Sequence, residues 1–169
     1  MALEKNAKIA SLAISVIVIL IYIIYGEIPE LGIREGAGIY QRFGYHLAHG
    51  SLLHVLLNVW CLLSIMFVYD ISFGLLIVAY VLASLFPVDS LHLIMPYSNS
   101  FLLPTIGSSG ICYCLMGMIA FRVKRKLYYQ MWLLFYICIG FLFPNVNGWI
   151  HLYCYVAGLC IAFLTKPIK

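Results

Sequence analysis

Residues 7–25 read AKIASLAISVIVILIYIIY, and Lys8 is the one charged residue among them. A helix needs roughly 20 apolar residues to cross a hydrocarbon core of about 30 Å. This run supplies nearly that many, and the same character recurs along the chain. Of the 169 residues 64% are hydrophobic and only 9% charged, with a mean hydropathy of +1.03. That much apolar surface cannot be hidden in one soluble core, so the expected fold class is an all-α membrane protein. No small-residue cleavage site follows Tyr25, so the first run is expected to be retained as a helix.

Six spans are expected, running from Ala7 to Tyr25, Ser51 to Tyr69, Phe73 to Pro87, Gly107 to Phe121, Tyr128 to Phe143 and Trp149 to Leu164. They make residues 1–169 a single membrane domain with no soluble domain. Helices two and three are joined by a tight turn around Asp70, whereas residues 26–50 separate helices one and two. That long first loop carries Pro29, Gly32, Gly36 and Gly38 together with Ile33, Ile39, Tyr40 and Phe43. It is too polar to span and too apolar for a free linker, which points to an element lying on the membrane surface.

The net charge of +4 arises from ten Lys and Arg against six Asp and Glu, placed at segment ends without an interleaved aromatic stripe. Nucleic acid is therefore not an expected partner; the lipid bilayer is. Cys61, Cys112, Cys114, Cys138, Cys154 and Cys160 lie within apolar segments and form no Cys-x-x-Cys pair, so they read as packing residues. Lys5, Lys8, Arg122, Lys124, Arg125, Lys126, Lys166 and Lys169 fall on one side of a six-span topology, against Arg34 and Arg42 on the other. Basic loops stay in the cytoplasm, so both termini are expected there, with the N-terminal ends of helices two, four and six facing outward.

Those three ends hold the unusual polar residues: His46, His49, His54 and Asn58 around helix two, Gly107-Ser108-Ser109-Gly110 at helix four, and His151 at helix six. Polar groups at membrane depth are costly and are functional candidates by default. Ser109 sits in a first helical turn between Gly107 and Gly110, where substrate backbone can approach and orphan amides point at the reacting centre. Taken alone, that pattern is equally a small-residue helix start. Tyr113 and Gly117 follow at four-residue intervals on the same face. His151 opens a stripe with Cys154, Gly158 and Ala162 that can bring it alongside helix four. There it can take the Ser109 proton, or else be a buried histidine satisfied by a carbonyl. His54 and Asn58, four apart, can act as oxyanion donors beside the Ser109 amide, or as glue between helices. The histidines include no carboxylate and no His-Glu-x-x-His, so neither a metal nor another cofactor is expected.

These motifs together resemble the rhomboid family of intramembrane serine proteases, in its minimal six-helix form. Gly107-Ser108-Ser109-Gly110-Ile111-Cys112-Tyr113-Cys114-Leu115-Met116-Gly117 is similar to the family's nucleophile helix, and the resemblance implies that Tyr113 packs on the catalytic histidine. His54-x-x-x-Asn58 resembles the oxyanion pair, with His49 and Arg42 before it, while Asp70 and Gly74 stand where the family tends to have an acid and a glycine. His151-x-x-Cys154-x-x-x-Gly158 departs from the family pattern, because Cys154 replaces the first glycine. The larger side chain is expected to set helices four and six slightly farther apart.

The resemblance implies an intramembrane serine endopeptidase that cuts transmembrane protein substrates with a Ser109–His151 dyad. Asp89 lies in a loop on the same side, which leaves a triad open. Residues 144–148, rich in turn formers, are the expected mobile lid. The rival readings are a catalytically silent rhomboid-like protein that binds membrane helices and a small transporter. Retention of Ser109, His151, His54 and Asn58 speaks against the first, and the lack of charged or unwound midplane segments against the second.

Overall fold

In the computed structural model the first apolar run becomes α1, Ala2–Tyr25. The structure describes residues 2–95, 98–143 and 145–165. Lys166 and Lys169, counted above for orientation, and Pro144 of the expected lid lie outside them. Buried Ser11 and Ser15 close their hydroxyls on backbone carbonyls one turn back, Lys8 at 2.8 Å and Ser11 at 2.7 Å, so their small side chains serve packing without orphaned polar groups.

After α1 come a 3-10 turn at Pro29–Leu31, then α2 (Ile39–Gly44), α3 (Leu52–Val68), α4 (Phe73–Ser84) and α5 (Val88–Ile94). The remaining elements are α6 (Asn99–Leu102), α7 (Ser109–Ile119), α8 (Lys126–Gly140) and α9 (Gly148–Leu164). The expected third span, Phe73 to Pro87, holds α4, and a further helix, α5, follows directly after its Pro87 end. Pro87 breaks α4 from α5, since it supplies no amide donor and pushes the preceding residue out of the helical region. Taken together Phe73–Ile94 is long and apolar enough to cross a membrane, as is Lys5–Tyr25. Leu52–Val68, Ser109–Ile119 and Gly148–Leu164 are shorter apolar helices.

Helix α7 occupies the centre, packed against α3, α4 and above all α9, while α1 lies on α3 and α4. Gly117 and Gly158 explain the α7–α9 closeness: a Cβ at Gly117 would lie 2.8 Å from Leu159 N, and one at Gly158 3.0 Å from Gly117 Cα. Helix α8 stands at the edge, joined to α9 through a separate small cluster of Leu133, Ile137 and Tyr155. The outward faces carry large exposed apolar side chains, among them Ile23, Leu53, Trp60, Leu142 and Phe163. Such a surface suits hydrocarbon and not water.

The turn after α3 is made by Asp70, whose φ of +41° is tolerated because a short polar side chain can occupy the left-handed region. Lys8 Nζ pairs with its carboxylate at 3.0 Å, tying α1 to that turn. The long first loop is fastened at its far end. Ile33 and Thr105 exchange both backbone hydrogen bonds at 2.9 Å, which docks the loop on the segment that leads into α7.

Candidate active site

Ser109 is the first residue of α7, and the chain enters that helix through Gly107 at φ +121°, a backbone conformation that side chains oppose. Gly107 N donates to Tyr45 O at 2.9 Å, and the buried Tyr45 hydroxyl donates to Ala83 O at 2.9 Å, so the entry is held from two sides. Ser109 Oγ lies 2.9 Å from His151 Nε2 in the first turn of α9. With the hydroxyl donating, Nε2 accepts and the imidazole proton resides on Nδ1. That nitrogen finds no partner among the described residues. The Tyr113 ring, one turn beyond Ser109, stacks on His151 with centroids 4.3 Å apart and planes at 22°.

His54 and Asn58 come from the first half of α3. Ser51 caps that helix by accepting from His54 N at 3.1 Å. Gly50 N approaches His54 Nδ1 at 3.5 Å, which leaves Nε2 to carry the proton. Both side chains face Gly107: a Cβ there would stand 2.7 Å from His54 Nε2 and 3.4 Å from Asn58 Nδ2. Glycine is required at 107 for space as well as for φ. The buried Asn58 Nδ2 has no acceptor among the described residues, so the site holds an amide donor that is not engaged by them.

Ser108 makes different contacts from its neighbour. His49, fully buried, points Nδ1 at Leu47 O (3.4 Å), while its Nε2 meets Ser108 N at 3.4 Å and Ser108 Oγ at 3.3 Å. Burial lowers this imidazole to about 4, so it is neutral at pH 7 and can accept from Ser108. His49 thereby fastens the loop that delivers Ser109.

Cys154 stands where α9 faces Gly110 of α7, and Ser109 Oγ and His151 Nε2 are 2.9 Å apart with the thiol in place. It is fully buried with its sulfur against Gly110, where a Cβ would sit 3.3 Å from Sγ. Asp89 is engaged elsewhere. Its carboxylate binds the Arg42 guanidinium and accepts from Gly36 N at 2.8 Å, and Arg42 also donates to Phe86 O at 3.0 Å. The expected lid is anchored at its end: Asn147 caps α9 and donates to Ser100 O at 2.8 Å and Thr105 Oγ1 at 2.9 Å. Sequence reasoning missed Tyr45 and Thr105 as fasteners, and took Asn147 for a turn former although asparagine before a helix is an N-cap signal.

The arrangement sets a serine hydroxyl against an imidazole nitrogen, with two side-chain donors turned toward one neighbouring glycine. A model of the rhomboid domain matches residues 36–168. The chain belongs to the rhomboid family. This makes it a membrane protein of a family that is generally one of intramembrane serine proteases and that also includes inactive forms. No curated protein sequence matches it. The match begins at Gly36, so α1 precedes it, while all the site residues described above fall inside it. Among the described residues of this rhomboid no group of His, Cys, Asp and Glu is placed to hold a metal ion.

Proposed function

We propose that this rhomboid is an intramembrane serine endopeptidase that hydrolyses peptide bonds in or near the spanning helices of membrane proteins. The observation that carries the reading is the 2.9 Å contact between Ser109 Oγ and His151 Nε2, with Asn58 and His54 turned toward the same glycine. His151 takes the Ser109 proton as Oγ attacks the scissile carbonyl carbon. The resulting oxyanion accepts from Asn58 Nδ2, His54 Nε2 and the Ser109 amide. His151 then gives its proton to the leaving amine, and water, deprotonated by the same imidazole, cleaves the acyl-enzyme ester.

Helix α7 has 11 residues, about 17 Å at ~1.5 Å per residue. A helix that short cannot reach both faces of a ~30 Å core, which supports a Ser109 lying at depth in a polar cavity open to one side. On the charge distribution of the sequence that side is opposite the cytoplasm, and the termini are cytoplasmic. A six-span bundle accommodates this if α4 and α5 share one span.

The test is labelling by a fluorophosphonate probe in detergent. The parental protein is expected to label and to cleave a single-span substrate in liposomes, and Ser109→Ala to do neither while unfolding at the same temperature. A folded parental chain that takes no probe and cuts nothing would assign it to the catalytically silent members.

A further inference from the structure

We propose that a cleft between the end of α3 and the start of α8 binds the headgroup of an anionic glycerophospholipid. The cleft has a volume of ≈ 650 Å³, with Lys124 and Arg125 at its mouth and Tyr69, Tyr128, Trp132 and Tyr136 among its walls. Tyr128, Trp132 and Tyr136 recur every four residues, which places them in one stripe down α8, and Lys124 lies in the bend just before that helix. The rings form a continuous wall: the Trp132 centroid lies 6.1 Å from that of Tyr128 and 5.9 Å from that of Tyr136.

The charge of the cleft is uncompensated. Lys124 and Arg125 are exposed and have no carboxylate partner among the described residues. The one acid next to this wall in sequence, Asp70, is taken by Lys8 at 3.0 Å. Helix α8 starts at Lys126 with no side-chain cap, so its amide dipole adds to the positive potential. The Tyr69, Tyr128 and Tyr136 hydroxyls and the Trp132 indole N–H make no hydrogen bond to the described residues.

Such an arrangement belongs at a headgroup level, where tyrosine and tryptophan rings lie with an apolar body and a wet tip. The run Arg122 to Lys126 marks that level in the chain. Basic pockets beside spanning helices suit anionic headgroups. A zwitterionic lipid would set its own ammonium against two cations. Free phosphate would satisfy the charge and leave the aromatic wall uncovered, whereas a lipid covers both with one molecule. The occupant is therefore a lipid whose phosphodiester carries a net negative charge, its acyl chains lying along the rings. Nothing in this depends on Ser109 being a nucleophile.

The experiment reconstitutes the full chain in phosphatidylcholine vesicles containing a rising fraction of acyl-brominated phosphatidylglycerol or, in parallel, acyl-brominated phosphatidylcholine. Quenching that disappears on Trp132→Phe reports occupancy of the cleft. Phosphatidylglycerol is expected to quench Trp132 at several-fold lower mole fraction, about fivefold for each cation engaged. The Lys124→Gln, Arg125→Gln double variant, unchanged in thermal unfolding, is expected to quench equally with both lipids, and Lys124→Arg to keep the preference. Equal quenching in the parental chain, or a preference that survives the double variant, overturns the proposal. So does abolition of the preference by millimolar glycerol 3-phosphate, which would make this a site for free phosphate. Displacement of both brominated lipids alike by a neutral single-span peptide would make it a peptide-docking surface and overturn the proposal as well.

Discussion

Gly158→Ala tests whether helix packing sets the catalytic distance. At Gly158 helix α9 lies directly on the α7 backbone, and a Cβ there would strike the Cys114 carbonyl oxygen and stand 3.0 Å from Gly117 Cα. Carbon atoms in contact prefer ~3.5–4.0 Å, and backbone cannot rotate aside, so α9 must retreat by about 1 Å. His151 rides on the same helix two turns away. A rigid shift of that size carries its Nε2 from 2.9 Å to beyond the ~3.5 Å at which a hydrogen bond to Ser109 Oγ is lost. Overpacking of this kind costs about 1–3 kcal/mol of stability, and ~1 Å of misplacement costs on the order of 100-fold in rate. Substrate cleavage in liposomes and the rate of fluorophosphonate labelling, measured beside thermal unfolding in detergent, separate the two effects. A folded variant that cleaves and labels within twofold of the parental chain would refute the reasoning, because α9 would then bend locally and leave His151 where it is.

Asn58→Ala is expected to lower the cleavage rate by roughly 10- to 1,000-fold, the usual cost of one oxyanion donor; an unchanged rate reduces Asn58 to a helix contact. Ser108→Ala removes a hydrogen bond to His49 worth about 1 kcal/mol and is expected to keep probe labelling, so loss of labelling here but not in Ser109→Ala would reassign the nucleophile. Single-span model substrates are expected to be cut after a small residue such as alanine, and more slowly when a following glycine or proline is replaced by leucine. Those helix breakers ease unwinding by about 1 and 3 kcal/mol, and equal cleavage rates in liposomes would count against unwinding as a requirement.

The long elements were legible in the sequence because hydrophobic runs of helical length announce themselves. The expected Ser51 to Tyr69 and Trp149 to Leu164 are helices Leu52–Val68 and Gly148–Leu164. The short helices α2, α5 and α6 were not, since seven residues or fewer carry too little periodicity to register. Pro87 was read as an end when it is a break between two helices. At the site, the residues that the fold brings together could be read from the sequence as Ser109, His151, His54 and Asn58. Their fasteners could not: Tyr45 reaches a carbonyl 38 residues away, and nothing local to a tyrosine marks its partner. Cys154 shows the same limit from the other side, because its sulfur sits against Gly110 on the facing helix and no pattern local to Cys154 names that neighbour.

On the proposed reading, the site orients its base without a third polar residue. In a Ser-His-Asp triad the acid fixes the imidazole tautomer and steadies the imidazolium. Here Asp89 is held by Arg42 and His151 Nδ1 has no partner among the described residues, so orientation falls to the Tyr113 stack and to the Ser109 contact itself. A stacked ring limits tilt as effectively as a hydrogen bond limits rotation, and it does so with apolar surface. A carboxylate buried beside the imidazole would cost several kcal/mol in a membrane whenever the histidine is neutral, which is its state for most of the cycle. The aromatic stack avoids that cost. It leaves the transient imidazolium less stabilised than in a triad, so the base is weaker and the chemical step slower, while the resting site keeps its geometry in a bilayer.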